Sequence, residues 1–252
     1  RFPVNHVRAY MYQAICALEY IHSMRICHRD LKPDKFIVDP SRLRLKLIDS
    51  GCAKVLVKGQ PNISYICSRY YRAPELLLGA TEYTCSVDMW SIGTVLCELL
   101  LGHLPFQGQD STHHHLIEVL KLMGTPSEAQ LRAMRSAVSV ADLPKLEPYP
   151  WARVFPSDTS SCAIELTQQL LCFDPAEGLT AAQNAKAFLT GASPTELKAS
   201  YKRMALLLHP DKNPGDEEAK EPCHDRARLL EVDALALAND NRIGPSKFGE
   251  GW

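Results

Sequence analysis

The sequence has no excess of charge of one sign, no paired-cysteine motif and no long apolar run. Its 28 Lys and Arg residues nearly balance 29 Asp and Glu residues, and this balance argues against general nucleic-acid binding, which needs a basic surface. None of the nine cysteines forms a C-x-x-C pair, and an odd number cannot all be joined in disulfides, so we expect reduced thiols. Without a long uncharged apolar segment, a signal peptide or a basic targeting arm, the sequence predicts no membrane contact and a soluble protein of the cytoplasm or nucleus.

The composition is that of an ordinary globular protein. Hydrophobic residues make up 46% and charged residues 23% of the 252 residues, which is enough for a buried core in one large or two modest domains. Helical spacing of apolar residues predicts an amphipathic helix over residues 7–23, and a nearly continuous apolar run predicts a buried helix over residues 86–101. Alternation of apolar and basic residues predicts a strand over residues 43–48.

More helices are predicted after the buried one. Gly102 suits its C-cap, residues 116–123 have helical periodicity, and Ser127 begins another helix. The three consecutive histidines 113–115 could suggest a metal site. Adjacent residues point to different faces of a helix, so we interpret the three histidines as a solvated helix start.

Three polar clusters stand at the ends of short apolar runs between residues 27 and 75. They read CHRDLKPDKFIVD, LKLIDSGCAK and SYICSRYYRAPE. Their order and spacing resemble the catalytic loop, the metal-binding loop and the activation segment of a protein kinase, and the wording is closer still to the glycogen synthase kinase-3 (shaggy-like) family. The resemblance covers residues 7–179. It implies a mainly α-helical fold, the large lobe of a kinase with short β hairpins.

This resemblance implies phosphoryl transfer from ATP, with Mg²⁺, to serine and threonine side chains of proteins. Asp30 matches the base that accepts or orients the substrate hydroxyl, Lys32 the lysine that neutralises the transferring phosphoryl group, and Asp49 the metal-binding aspartate. Where the family has an asparagine that binds the second Mg²⁺, this sequence has Lys35, which offers no acceptor. We expect Lys35 and the neighbouring Asp34 to contact the cofactor, with Asp34 as the substitute for the missing metal ligand.

Other departures concern the kinase small lobe. The middle phenylalanine of the metal-binding motif is Ser50 here, and six residues precede the first predicted helix. The sequence contains no glycine-rich loop, strand lysine or partner glutamate of a small lobe. We therefore expect residues 1–180 to be a large lobe alone, with weakened phosphoryl transfer.

The resemblance also implies a second phosphate site. Arg29 and Lys54 match two of three basic residues that bind a phosphate already present on the substrate, and Tyr65 matches a tyrosine that is phosphorylated in the family. The implied partners are protein substrates, including ones that already carry a phosphate. The alternatives are a packed Tyr65 and two solvated charges.

Two acidic residues have implied structural roles. Asp88 matches the aspartate that caps backbone amides of the catalytic loop. Glu75 matches a glutamate that pairs with a buried arginine, but the matching position is Gly178. If Glu75 is buried, we expect it to find another partner or to be protonated, because an unpaired buried charge is unfavourable.

Residues 181–252 resemble an incomplete J domain of the chaperone type. A basic helix predicted over residues 195–208, which carries Lys202 and Arg203, leads to His209, Pro210 and Asp211 and then to KNPGDEEA. Such domains stimulate ATP hydrolysis by seventy-kilodalton heat-shock chaperones, and a basic helix would steer toward an acidic partner surface. The usual sequence of the fourth helix of a J domain is absent. The segment 181–189 would have to serve both as the last kinase helix and as the first helix of this module.

Two functions therefore remain open. The first is a serine/threonine kinase of the glycogen synthase kinase-3 type with weakened activity. The second is a non-catalytic, kinase-derived binding protein with a J-domain co-chaperone module. The surviving base, lysine and first metal ligand favour the kinase. Lys35, Ser50 and the lacking small-lobe motifs favour the binding protein.

Overall fold

The structure, a computed structural model, describes residues 2–108, 111–181 and 183. The predictions for the J-like module lie outside the described residues. They comprise the helix 195–208 and the candidate chaperone-binding residues Lys202, Arg203, His209, Pro210 and Asp211. Most of the segment 181–189 lies outside them too.

The described chain forms helices with two small antiparallel sheets. In chain order its elements are α1 (Val4–Ser23), β1 (Ile26–Cys27), β2 (Phe36–Asp39), β3 (Arg44–Leu47), β4 (Lys54–Val55), α2 (Pro74–Leu77), α3 (Ser86–Leu101), α4 (Thr112–Met123), α5 (Glu128–Ala133) and α6 (Ser161–Leu170). Single turns of 3₁₀ helix lie at Pro33–Lys35, Arg69–Tyr71, Val140–Asp142 and Trp151–Arg153. The predicted mainly helical character is thus observed within the described ranges.

Helix α3 is the centre of the core, and its predicted bounds are confirmed. Twelve of its 16 residues are buried, which follows from its nearly continuous apolar sequence. It packs against α1 and α6. A Cβ on Gly93 would lie 2.7 Å from the Cβ of Leu170, so the close approach to α6 requires glycine. Gly102 caps the helix at φ +85°, as predicted.

The two sheets fix the loops that carry the candidate site. Strands β2 and β3 form a hairpin in which Phe36 pairs with Leu47, and the predicted strand 43–48 is confirmed at Arg44–Leu47. Strand β1 pairs with β4, with Cys27 opposite Lys54. This second pair brings together the two ends of the segment between β1 and β4. Both the predicted catalytic loop and the metal-binding loop therefore lie between paired strands.

The prediction for the three histidines is wrong for one of them. The N-cap Ser111 accepts a hydrogen bond from the backbone N–H of His114, so α4 begins earlier than predicted. His115 is fully buried, and its ring packs edge-on against Tyr70 and Phe106 with centroid distances of 6.2 and 6.1 Å. Burial, followed by the charge of Arg72, lowers the pKa of His115 to about 4. A position that looked like a solvated helix start therefore belongs to the core.

Within the described ranges no helix combines the length and apolarity needed to cross a membrane. Eight cysteines in the same ranges are free thiols, two of which, Cys27 and Cys97, are fully buried.

Candidate active site

Three loops carry the predicted site residues. Residues 28–35 lie between β1 and β2, Asp49 follows β3, and residues 62–73 lead to α2. Each loop has one non-glycine residue in the left-handed region, with φ of +66° at Arg29, +62° at Asp49 and +66° at Cys67. This backbone is unfavourable for residues with a Cβ, so it persists only where surrounding contacts hold it.

Asp88 holds the first loop in place. This carboxylate stands in the first turn of α3, is 1% exposed, and accepts hydrogen bonds from the backbone N–H groups of His28 at 2.7 Å and Arg29 at 2.8 Å. The Nε2 atom of His22 lies 2.8 Å from Asp88 Oδ2. Burial by itself would raise the pKa of Asp88, but the hydrogen bond and charge of His22, together with His28 and the Arg29 N–H, outweigh burial and lower it. This geometry matches the capping role that the resemblance implies.

His22 was missed by the sequence analysis. Burial by itself would lower the pKa of His22, but the Asp88 carboxylate outweighs this effect and raises it from its ordinary value of 6.5. Nothing in the sequence except the position of His22 in the last turn of α1 marks it as a partner of Asp88.

The Asp30 carboxylate faces the third loop. Its Oδ1 atom accepts hydrogen bonds from both the backbone N–H and the hydroxyl of Ser68, each at 2.9 Å. Burial by itself would raise the pKa of Asp30, but the hydrogen bonds from Ser68 and Lys35 outweigh burial and lower it from 3.8. Asp30 is therefore ionised at neutral pH and accepts a hydrogen bond from a serine hydroxyl. Ser68 was missed because no periodicity distinguishes it from its neighbours.

Lys35 bridges the two predicted active-site aspartates. Its Nζ atom lies 3.2 Å from Asp30 Oδ2 and donates a hydrogen bond to Asp49 Oδ2. The bond to Asp49 is the main reason why the pKa of Lys35 is raised, and the same bond lowers the pKa of Asp49. The structure thus brings together three of the predicted site residues through one ammonium group.

Lys32 and Asp34 form a separate pair. Lys32 Nζ lies 3.8 Å from Asp34 Oδ2, and the Asp34 side chain is 82% exposed. The role of Asp34 as a substitute for the missing metal ligand stays a prediction.

The donor set around Asp49 does not fit a divalent metal ion. Lys35 has no acceptor atom, and its ammonium occupies the Oδ2 atom of Asp49. The other oxygen, Oδ1, accepts a hydrogen bond from the N–H of Gly51 at 3.1 Å. In the part of the chain that the structure describes, no group of three or more His, Cys, Asp or Glu side chains is arranged to hold a metal. A hard cation such as Mg²⁺ needs several free oxygen ligands, which this arrangement lacks.

Arg29 and Lys54 bind neutral acceptors. Arg29 Nε donates to the carbonyl of Cys52 at 2.6 Å, and Nη1 donates to the Tyr83 hydroxyl at 3.3 Å. Lys54 Nζ donates to Asn62 Oδ1 at 2.7 Å. Neither cation forms an ion pair with a carboxylate within the described ranges, so two positive charges are left without a counter-charge. The alternative of two solvated charges stays open, because Lys54 is exposed, and the uncompensated charge of the two side chains favours an anion.

Tyr65 is exposed at the start of the third loop. Its side chain is 77% exposed, so the alternative of a packed Tyr65 is wrong. The guanidinium of Arg72 lies 4.5 Å from the centre of the Tyr65 ring. Arg72 is itself buried and donates to the carbonyls of Ile66 and Cys67 at 2.7 and 2.8 Å. The Tyr65 ring thus rests on a fixed cation.

Glu75 is buried without a cationic partner among the described residues. It is 4% exposed, and the Ser86 hydroxyl donates to it at 3.4 Å. Burial raises the pKa of Glu75 to about 7. Glu75 and Gly178 line one cleft of about 1080 Å³, on the side where the resemblance implies an arginine. Of the two expected outcomes for Glu75, the raised pKa favours protonation.

Comparisons with known proteins give two family matches. The model of the protein kinase domain matches residues 1–188, and the model of the DnaJ domain matches residues 188–225. The protein kinase gsk3 of Schizosaccharomyces pombe is 46% identical over 181 residues, which are 72% of this chain and 46% of that protein. The chain therefore spans about half the length of this relative.

Proposed function

The chain belongs to the protein kinase family, and from this premise we propose that it transfers phosphoryl groups from ATP to serine and threonine side chains of proteins at a reduced rate. The resemblances to glycogen synthase kinase-3 and to a J domain are confirmed by the family matches and by the relative from Schizosaccharomyces pombe. Members of the kinase family use ATP and Mg²⁺.

One observation carries this proposal. Asp30 is ionised and its Oδ1 atom accepts a hydrogen bond from the Ser68 hydroxyl at 2.9 Å. A serine hydroxyl of a substrate needs the same acceptor to be oriented for attack on a phosphoryl group. Lys32, which is 26% exposed, stands two residues further along the loop and can neutralise charge on that group. We therefore assign the base to Asp30 and the charge-neutralising role to Lys32.

The reduced rate follows from Lys35. Phosphoryl transfer depends almost entirely on positioning and electrostatic stabilisation, so a changed metal-binding position removes a large part of the catalyst. The ammonium of Lys35 holds both aspartates but has no lone pair for a metal. We propose that this substitution weakens the transfer, while Asp30 keeps its hydrogen bonds from Ser68.

We further propose that the substrates carry a phosphate before they bind. Arg29 and Lys54 hold positive charges that no carboxylate compensates within the described ranges. A phosphate dianion would form charge-assisted hydrogen bonds with both side chains. Exposed Tyr65 is the proposed phosphorylation site on the chain itself.

A transfer assay tests the proposal. The purified chain is incubated with radiolabelled ATP, Mg²⁺ and a serine peptide that is supplied with and without a phosphoserine. We expect slow transfer to the phosphorylated peptide, lost in Asp30→Asn and kept in the exposed variant Asp142→Asn. Absence of transfer in the unsubstituted chain, under conditions where it is folded, would contradict the proposal and favour a binding function.

The match to the DnaJ domain favours a second function. It covers His209, Pro210 and Asp211, and we propose that this module stimulates ATP hydrolysis by a seventy-kilodalton heat-shock chaperone. A steady-state ATPase assay of such a chaperone with the added chain tests it. We expect stimulation by the unsubstituted chain and none by His209→Gln. Equal stimulation by both proteins would contradict this function.

The division at residues 180 and 181, and the location in the cytoplasm or nucleus, stay predictions from the sequence. Limited proteolysis addresses the division: two stable fragments cut between residues 176 and 196 would indicate independent modules and no shared helix.

A further inference from the structure

We propose that Lys35 is an internal cation that replaces a divalent metal ion between Asp30 and Asp49, and that this site therefore takes up neither Mg²⁺ nor Mn²⁺. The inference rests on the proposed function only for the identity of the site as a phosphotransfer site. It concerns what neutralises the two aspartates, and it can be tested without any measurement of phosphoryl transfer.

The geometry of the ammonium group carries the inference. Lys35 Nζ contacts one oxygen of Asp30 at 3.2 Å and one oxygen of Asp49, so it stands where both carboxylates converge. Its side chain is only 13% exposed. An ordinary surface pair of this chain, Lys121 with Glu118, has side-chain exposures of 59% and 36% and joins one turn of a helix. Lys35 instead contacts Asp49, which lies on another loop, 14 residues further along the chain.

The backbone holds the Lys35 side chain in this place. The Lys35 N–H donates to the Lys32 carbonyl at 3.0 Å, and the Lys35 carbonyl accepts from the N–H of Ile48 at 2.9 Å. Ile48 directly precedes Asp49. Phe36, which directly follows Lys35, pairs with Leu47 in the hairpin. The hairpin thus fixes the backbone of Lys35 beside Asp49, so the ammonium reaches the carboxylate from an ordered segment.

The charges at the site disfavour the binding of an additional metal ion. The two carboxylates carry two negative charges, and the ammonium of Lys35 contacts both of them and offsets one charge without a metal. A divalent cation between the carboxylates would face a fixed positive charge at ion-pair distance, and it would lose the oxygen of Asp49 that Lys35 occupies. It would also gain no ligand from Lys35, because an ammonium has no acceptor. Asparagine at the same position would reverse both effects, since it is neutral and offers a carbonyl oxygen.

Manganese binding by electron paramagnetic resonance tests the inference on the full chain. Mn²⁺ is titrated into the unsubstituted protein, into Lys35→Asn and into Lys46→Asn, an exposed lysine of β3 that controls for the loss of one positive charge. We expect no bound Mn²⁺ in the unsubstituted protein and in Lys46→Asn up to millimolar metal. We expect one bound Mn²⁺ in Lys35→Asn, with an affinity at least about tenfold higher. Asp49→Asn in the Lys35→Asn background should abolish it.

Two results would overturn the inference. The first is a bound Mn²⁺ in the unsubstituted protein that Asp49→Asn removes. The second is a folded Lys35→Asn protein, verified by circular dichroism, that binds no more Mn²⁺ than the Lys46→Asn control. If Lys35→Asn does not fold, Lys35→Gln supplies the same neutral acceptor on a longer side chain. Because the readout is metal binding, failure of the transfer assay leaves this result interpretable, and the reverse also holds.

Discussion

Replacing Glu75 with glutamine should stabilise the protein at neutral pH. Folding raises the pKa of Glu75 from 4.5 to about 7, because the side chain is buried and no cation faces it within the described ranges. The unfolded chain therefore releases the Glu75 proton at a lower pH than the folded chain does. The free energy of unfolding must then fall as the pH rises from about 4.5 to about 7. At about 1.4 kcal/mol per pKa unit, this loss is roughly 3 kcal/mol.

Urea unfolding of the two proteins across this pH range measures the effect. We expect the difference in free energy of unfolding between Glu75→Gln and the unsubstituted chain to grow by about 3 kcal/mol in favour of the variant. His115 has the opposite influence: its pKa is lowered to about 4, so its contribution to stability increases as the pH rises toward 6.5. Because His115 is present in both proteins, its contribution cancels in the difference. The exposed Glu147→Gln variant is the matched control and should show no such trend.

A second variant supplies the missing cation. A Cβ at residue 178 would lie 2.9 Å from Cys172 Sγ, so Gly178→Arg is combined with Cys172→Ala. Burial, followed by the charge of Glu75, raises the pKa of Cys172 to about 11, which indicates that the three residues are neighbours. In Cys172→Ala alone, the free energy of unfolding should fall as the pH rises above 4.5. In the double variant we expect no such fall. A flat difference between Glu75→Gln and the unsubstituted chain would refute the argument that burial protonates Glu75.

Two more predictions concern the loops of the candidate site. Asp88→Asn should lower the free energy of unfolding in urea by about 3 kcal/mol relative to the exposed Asp34→Asn, because an amide cannot replace a buried carboxylate that accepts two backbone N–H groups. Equal unfolding midpoints would contradict this anchoring role. Lys54→Ala should weaken the binding of a phosphoserine peptide in fluorescence anisotropy by more than about tenfold, since a charged hydrogen bond is lost. The exposed Lys58→Ala should bind the peptide like the unsubstituted chain, and equal affinities of both variants would argue against a phosphate at Lys54.

The parts of the fold that the sequence predicted well are those set by local signals. The bounds of α3 follow from an apolar run that ends at a glycine with φ of +85°. The burial of His115 was mispredicted because three histidines in a row look polar. Its spacing of four from Val119 and seven from Leu122, both buried, was the signal that could have placed it on the apolar face of α4.

The contacts of Lys35 could not be predicted from local signals. The sequence showed that a cation stands where the kinase pattern has a metal ligand, but not which groups it meets. Its position beside Asp49 depends on the hairpin of β2 and β3, which joins residues that are 14 positions apart. The partnership of Ser68 with Asp30 likewise depends on the path of a loop 38 residues further along the chain. Tertiary structure decides both contacts.

Two departures from the kinase pattern change a charge, and they do so in opposite directions. Gly178 leaves the buried Glu75 without a cation, whereas Lys35 adds a cation between two aspartates. The first affects stability and the second affects chemistry, and neither disturbs the hydrogen bonds by which Asp88 holds the catalytic loop. The loop that would present a metal ligand is therefore already in place. Lys35→Asn then requires no rearrangement of the backbone, so metal binding gained without a change in the unfolding midpoint would mean that chemistry was altered on an intact scaffold.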